Sequence, residues 1–163
     1  MSQHIATVIW NRATPDFPKG RYSREHTWTF DGGLTIAASA SPSVVPAPWS
    51  NPAGVDPEEA FVASLASCHM LTFLHVARQA GFQIESYQDQ AVGQMATNEK
   101  RVPWVKSVTL NPQIVYGGDK RPTHEEEARL HHLAHEQCFI SQSVKTEVLV
   151  AGFHAAKEPI ELR

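Results

Sequence analysis

The feature that most constrains the fold is a run of 18 residues, 60–77, that contains no Asp, Glu, Lys or Arg. Asp56 stands just before this run as a favourable N-cap, and Glu59, three residues later, completes a capping-box pattern. Gly81 follows the run and is typical of the residue after a helix. The sequence therefore predicts one long helix over 57–80. Because it is apolar on most of its faces, this helix should lie at the centre of the fold.

The same run is long enough to suggest a membrane span. Polar and ionisable side chains are costly in lipid, however, and the run contains Ser64, Ser67, Cys68, His69, Thr72 and His75. We therefore interpret it as the packed helix of a folded domain and expect no membrane partner.

The composition indicates a single domain that spans residues 1–163. Hydrophobic residues make up 42% of the chain, and the formal net charge is only -3. Since there is no basic block, we expect no nucleic-acid partner. The first residues show no charged segment followed by an apolar one, so we expect no signal peptide. Two cysteines in a chain of this length are not a disulfide scaffold, which predicts a reducing, cytoplasmic location.

The rest of the chain alternates between short strand patterns and turn signals, with a strong hairpin signal at Asp31-Gly32-Gly33. A proline-rich loop, 40–56, precedes the long helix. Strands are predicted at 4–10, 26–30, 34–38, 86–97, 104–117 and near 145–155. With a second helix before the last strand, the order is βββ-α-ββ-α-β, which indicates an α+β fold with antiparallel pairing.

The second helix has its own start signal. Thr123 is a favourable N-cap, and Glu126 completes a second capping box. Apolar residues then recur at helical spacing, which defines a buried face made of Leu130, Leu133, Ala134 and Cys138. Cys138, at the end of this helix, should therefore point toward the core.

Cys68 and Cys138 are the only two cysteines, and 69 residues lie between them. Such a pair meets only through the fold, as a redox couple, part of a metal site, or a packing coincidence, since free cysteine is commonly buried. A reactive thiolate needs a nearby cation or a helix N-terminus. Cys68 lies mid-helix, beyond the reach of the helix dipole, so Arg21 and Arg24 are the candidate cations.

Two segments resemble a known family. The segment 56–69, DPEEAFVASLASCH, resembles the signature helix of the OsmC/Ohr family, the osmotically inducible and organic hydroperoxide resistance proteins. The segment 138–148, CFISQSVKTEV, resembles the second cysteine region of that family. The match extends in order and spacing over most of residues 20–150. It implies the OsmC-like fold, in which antiparallel sheets wrap around two central helices in an intertwined homodimer.

The resemblance also implies a function and a role for each site residue. Cys68 resembles the peroxidatic cysteine, whose thiolate attacks an organic hydroperoxide and becomes a sulfenic acid. Cys138 resembles the resolving cysteine, which captures that sulfenic acid as a disulfide, and an external thiol reductant then restores both thiols. Glu58 matches the glutamate that holds an arginine against the thiolate. The implied protein is a thiol-dependent hydroperoxide reductase in oxidative stress defence, with no cofactor and no metal.

The position of Glu58 has a geometric consequence. It precedes Cys68 by ten residues, which span about 15 Å of a straight helix. Either the helix is broken between the two residues, or the glutamate reaches the cysteine of a partner chain. The spacing therefore favours an active site shared across a dimer interface.

The arginine is the least determined member of the site. Arg21 resembles the arrangement of the Ohr branch, in the loop after the first strand, and Arg24 is a close alternative. The OsmC branch places its arginine in the segment before the long helix, but this chain has no Arg from residue 25 to 77.

Two other functions fit parts of the sequence. One is a non-catalytic thiol protein that binds a small ligand on the same fold; such a protein needs neither cysteine. The other is a Cys/His metal protein, since His131, His135 and Cys138 have zinc-compatible spacing. We interpret these histidines instead as part of an exposed polar helix face. Five apolar residues near the motifs predict a pocket that favours alkyl hydroperoxides over hydrogen peroxide: Trp49, Phe61, Met70, Phe73 and Phe139.

Overall fold

The structure, a computed structural model, describes residues 2–14 and 16–153. Two helices and eight strands run in the order β1 (Ala6–Ile9), β2 (His26–Phe30), β3 (Thr35–Ala38), α1 (Pro57–Gln79), β4 (Gln83–Asp89), β5 (Val92–Thr97), β6 (Pro103–Leu110), β7 (Pro112–Gly117), α2 (His124–Gln137) and β8 (Glu147–Val150). Single 3-10 turns occur at Phe17–Lys19 and Ser141–Ser143. The last predicted strand extends past residue 153, and that part lies outside the described residues.

The chain divides into two compact units, one up to Phe61 and one from Val62, and the division falls in the first turns of α1. The prediction of a single domain over 1–163 stays a prediction. In the first unit, β1, β2 and β3 form an antiparallel sheet. The predicted hairpin is confirmed, because the Phe30 N–H donates to the Leu34 carbonyl at 2.9 Å and Gly33 adopts a φ of 84°.

Helix α1 begins and ends where the sequence predicts. The Glu59 N–H donates to Asp56 Oδ1 at 2.7 Å, and the Asp56 N–H donates to Glu59 Oε2 at 3.1 Å, which completes the capping box. Gly81 follows the helix with a φ of 80°, a conformation that side chains other than glycine rarely adopt. The helix is unbroken over its 23 residues.

One stripe of α1 is buried in the second unit, and it includes Leu65, His69 and Phe73, each with no exposed surface. Their spacing of four residues places them on one face of the helix. Pro57–Gln79 is also the one described helix long and apolar enough to cross a membrane by length and composition, a test that core helices of soluble proteins pass as well. In the most apolar window of this helix, 28% of the residues are buried, and the stripe belongs to that buried part.

The sequence predicts two strands between the helices, whereas the structure has four. The predicted order is therefore corrected to βββ-α-ββββ-α-β. Strand β4 pairs with β7 and β5 pairs with β6, so the two long runs form a hairpin that is interrupted midway. At the interruption the Asn111 N–H donates to Asp89 Oδ1 at 2.7 Å instead of to a neighbouring strand. Pro112, which has no N–H, opens β7.

The predicted antiparallel pairing is wrong for β8, which lies parallel to β6. A parallel pair requires a long connection between its strands, and the chain between β6 and β8 includes α2. The α+β class itself is confirmed.

Helices α1 and α2 pack on the β4–β7 sheet through a cluster of buried side chains: Phe73, Val76, Ala77, Phe82, Leu130 and Ala134. Of the face predicted for α2, Leu130, Ala134 and Cys138 are buried, whereas Leu133 is 37% exposed. This packing places the middle of α1 beside α2, and it thereby positions both cysteines.

We expect Thr123→Ala to lower the free energy of unfolding by about 1 kcal/mol. Thr123 Oγ1 accepts a hydrogen bond from the Glu126 N–H at 3.2 Å, and the capping box at the start of α2 is complete. Urea unfolding would measure the change. Thr123→Ser keeps the hydroxyl and is the matched control; an equal loss in both variants would show that the cap is not the cause.

Candidate functional site

The structure brings the two cysteines together. Cys68 lies in the middle of α1 and is half-buried, whereas Cys138 follows the last turn of α2 and is fully buried. Cys138 has an extended backbone, with φ of -73° and ψ of 112°. Both thiols are free, and the Cys138 Sγ donates a hydrogen bond to the Cys68 Sγ across 2.7 Å. Two sulfur atoms this close can form a disulfide with little movement of the backbone.

Backbone amides of the turn after α2 surround the sulfur atoms. The Ser141 N–H donates to Cys138 Sγ at 3.4 Å. Burial, and then the hydrogen bond with Cys138, raises the pKa of the Cys68 thiol above its ordinary value, while the backbone N–H groups of Ile140 and Phe139 act in the opposite direction. The net effect is a thiol that needs a further positive charge to become a thiolate at neutral pH.

Glu58 lies in the first turn of α1 and is half-buried. Because α1 is continuous from residue 57 to 79, the alternative of a helix broken between Glu58 and Cys68 is excluded. Ten residues of unbroken helix separate the two by about 15 Å. Within one chain, α1 therefore keeps Glu58 away from Cys68.

The two candidate arginines differ in how they are held. The Arg24 Nη1 donates to the carbonyl of Gly20 at 3.1 Å and to that of Tyr22, and its guanidinium lies 3.7 Å from the centroid of the Tyr22 ring. Arg21 is exposed, and its carbonyl accepts a hydrogen bond from Thr14 Oγ1 at 3.0 Å. The Arg24 side chain thus stabilises its own loop, whereas in Arg21 the backbone is fixed and the side chain extends into solvent.

Comparison with known proteins decides the family. The family model for OsmC-like proteins matches residues 50–151, a range that includes Glu58 and both cysteines. The chain belongs to the OsmC-like family. A search of the curated proteins found no match.

Solved structures agree with this assignment. This chain is 53% identical to an OsmC-like protein of unknown function from Vibrio cholerae O1. The two structures superpose with a TM-score of 0.88 over 92% of this chain and 98% of that one. It also shares its fold with OhrB of Bacillus subtilis, an organic hydroperoxide resistance protein, at 20% identity and a TM-score of 0.63 over 91% of this chain and 96% of that one. An organic hydroperoxide resistance protein from Legionella pneumophila is similar at 19% identity and a TM-score of 0.66, over 92% and 94% of the two chains. The OsmC-like fold is therefore confirmed.

The sequence predicts that His131 and His135 belong to an exposed face of α2, which is wrong for His131, while His135 is half-buried. In the OsmC-like protein His131 is only 2% exposed, and its Nδ1 lies 3.0 Å from Nε2 of the fully buried His69. The reason is periodicity: His131 precedes Cys138 by seven residues, two helical turns, and so shares its buried face. Within residues 2–14 and 16–153, no group of three or more His, Cys, Asp or Glu side chains is arranged to hold a metal ion.

The apolar residues predicted to line a pocket have different environments. Phe73 is fully buried, with its ring 4.4 Å from that of His131 and 5.8 Å from that of Tyr87, so it belongs to the core of the OsmC-like protein. Phe139, next to Cys138, is 84% exposed. Trp49, Phe61 and Met70 are half-buried, so the predicted set does not share one environment.

Proposed function

We propose that this OsmC-like protein is a thiol-dependent peroxidase that reduces organic hydroperoxides in oxidative stress defence. The observation that carries the proposal is the 2.7 Å separation of Cys68 Sγ and Cys138 Sγ. The Cys68 thiolate attacks the O–O bond of the hydroperoxide, takes one oxygen as a sulfenic acid, and releases an alkoxide that is protonated to the alcohol. The Cys138 thiol then attacks the sulfenic sulfur, so that the disulfide forms and water leaves.

The order of the two cysteines follows from their exposure. Cys68 is half-buried and can meet a hydroperoxide, whereas Cys138 has no exposed surface and has Cys68 as its hydrogen-bond partner. A buried thiol behind a more accessible one is suited to resolving rather than initiating the reaction. An external thiol reductant reduces the resulting disulfide by thiol–disulfide exchange, which completes the cycle without a cofactor or metal.

A cation must assist Cys68, because burial raises the pKa of its thiol. We assign this role to Arg21, held by Glu58, as the family resemblance implies. Arg24 is the weaker candidate because its guanidinium is already bound to two carbonyls and to the Tyr22 ring. A carboxylate–arginine pair next to a thiol favours the thiolate by direct charge attraction.

The site is proposed to be shared across a homodimer. An unbroken α1 separates Glu58 from Cys68 of the same chain by about 15 Å, so the glutamate acts on the partner's cysteine. The opposite side of α1 supports this, since it leaves Ser67, Leu71 and His75 exposed, with Leu71 at 62%. The protein is expected in the cytoplasm, where both cysteines can be kept reduced, and neither nucleic acid nor membrane is a proposed partner.

The test of this function is a count of free thiols by intact mass and thiol labelling, before and after one equivalent of cumene hydroperoxide. We expect two thiols to disappear together, with a mass decrease of two hydrogen atoms and a disulfide-linked peptide that contains Cys68 and Cys138. Two thiols that survive unchanged would overturn the peroxidase proposal and favour a ligand-binding role on the same fold.

A further inference from the structure

A second pair of side chains joins α1 to α2 beside the cysteines. His69 of α1 and His131 of α2 are hydrogen-bonded through Nε2 and Nδ1 at 3.0 Å, and their rings meet edge to edge, with centroids 5.3 Å apart and planes 11° from parallel. Phe73 and Phe153 pack against His131 with centroid distances of 4.4 and 4.9 Å. The pair is thus held between aromatic rings, and the proposed reaction does not use it.

The location of the histidine pair relates it directly to the sulfur atoms. His69 follows Cys68 in α1, and His131 lies two turns before Cys138 on the same face of α2. The contact between the two helices therefore carries two polar links, one between sulfur atoms and one between imidazoles. Apolar packing is non-directional, whereas a hydrogen bond between two rings fixes both distance and orientation.

We propose that His69 and His131 are positioning residues, whose hydrogen bond sets the relative position of α1 and α2 and so holds Cys138 Sγ within reach of Cys68 Sγ for disulfide closure. This inference rests on the proposed function, since closure is its second step. Helices slide past one another by about 1–2 Å in many proteins, and a misplacement of about 1 Å can slow a reaction about 100-fold. A directional bond between the same two helices restrains such sliding.

The pair should respond to acid. Burial lowers the pKa of His69 to about 4, with His135 contributing, and lowers the pKa of His131 to about 3, with His69 contributing. Both rings are therefore neutral at pH 7, where one nitrogen can donate and the other accept. The other titratable groups around them are Cys68 on α1, Cys138 on α2, Tyr87 of β4 behind Phe73, and His124, which stacks on Phe153.

The sign of the effect follows from these directions. Free histidine takes up a proton near pH 6.5, but the packed pair does not until the pH is much lower. As the pH falls from about 6.5 toward 4, protons bind the separated rings more readily than the packed ones, so acid weakens the link between α1 and α2. The rate of disulfide closure should fall as the pH is lowered over the same range.

Two variants of His131 test the proposal. His131→Leu removes the hydrogen bond, whereas His131→Asn keeps a polar group near the position of Nδ1 and does not titrate. The readout is the equilibrium of the Cys68–Cys138 dithiol with oxidised glutathione at pH 7, which uses no hydroperoxide. We expect the equilibrium constant for disulfide formation to fall about tenfold in His131→Leu and to stay near the wild-type value in His131→Asn.

A pH profile supplies a second readout that does not require His131→Leu to fold. The rate of disulfide closure in the wild type, relative to His131→Asn, should fall as the pH is lowered from about 6.5 toward 4, because protons bind the His131 ring more readily when the two rings are separated. An unchanged glutathione equilibrium in folded His131→Leu, equal losses in both variants, or a flat rate ratio would overturn the inference. Failure of the proposed function is distinct: it appears as wild-type thiols that survive cumene hydroperoxide.

Discussion

Cys68→Ser is expected to abolish reduction of cumene hydroperoxide, whereas Cys138→Ser is expected to form the sulfenic acid once, to over-oxidise it with further hydroperoxide, and then to stop. The difference follows from the two positions. Cys68 is half-buried and is the proposed nucleophile, so its loss would remove the group that attacks the hydroperoxide. Without Cys138, the sulfenic acid at Cys68 has lost the thiol that lies 2.7 Å away in the wild type, and it reacts with further peroxide instead.

Intact mass spectrometry with a steady-state peroxidase assay would measure both effects. Cys138→Ser should gain one oxygen atom, then two as the sulfenic acid is oxidised to the sulfinic acid, and turnover should cease. Gln137→Ala, an exposed neighbour at the end of α2, is the control and should keep wild-type turnover. Full activity in Cys68→Ser would refute the assignment of the nucleophile, and sustained turnover in Cys138→Ser would refute that of the resolving residue.

Features that depend on a few neighbouring residues could be predicted from the sequence. The capping boxes at Asp56 and Thr123 locate the starts of both helices, because each hydrogen bond spans only three residues. The hairpin around Gly33 follows from the same kind of local chemistry. The division of the long strands and the parallel pairing of β8 were missed, because they depend on bonds such as that between Asn111 and Asp89, which are distant in sequence.

The candidate site likewise has features that the sequence predicts and features that only the tertiary packing reveals. The role of the two cysteines came from the resemblance of two short segments to a family, and their separation became known only from the packing of α1 against α2. The His69–His131 bond joins residues 62 positions apart, and a tertiary contact of this kind leaves no local signal. One signal was present: His131 lies seven residues before Cys138, which places both on one helix face. The backbone amides after Cys138 carry no side-chain signature at all.

If the active site is shared between two chains, a mixed dimer of two impaired variants should recover peroxidase activity. Glu58→Gln should lose about 100-fold in rate, because the arginine that we propose to assist the Cys68 thiolate would no longer be held in place. Cys68→Ser is expected to be inactive. A dimer with one chain of each kind has one site in which an intact Cys68 faces an intact Glu58 of the other chain. If the site is shared, this dimer should regain about half of the wild-type activity.

Co-expression of the two variants with different affinity tags, followed by purification through both tags, yields the mixed dimer for a peroxidase assay. A dimer of Cys68→Ser with Cys138→Ser is the matched control. Because the two sulfur atoms lie 2.7 Å apart within one chain, no chain of that dimer has a complete pair, and turnover should not return. An inactive Glu58→Gln/Cys68→Ser dimer would refute the shared site. If activity returns in the Glu58→Gln/Cys68→Ser dimer but not in the Cys68→Ser/Cys138→Ser dimer, each site takes its glutamate from one chain and both of its cysteines from the other.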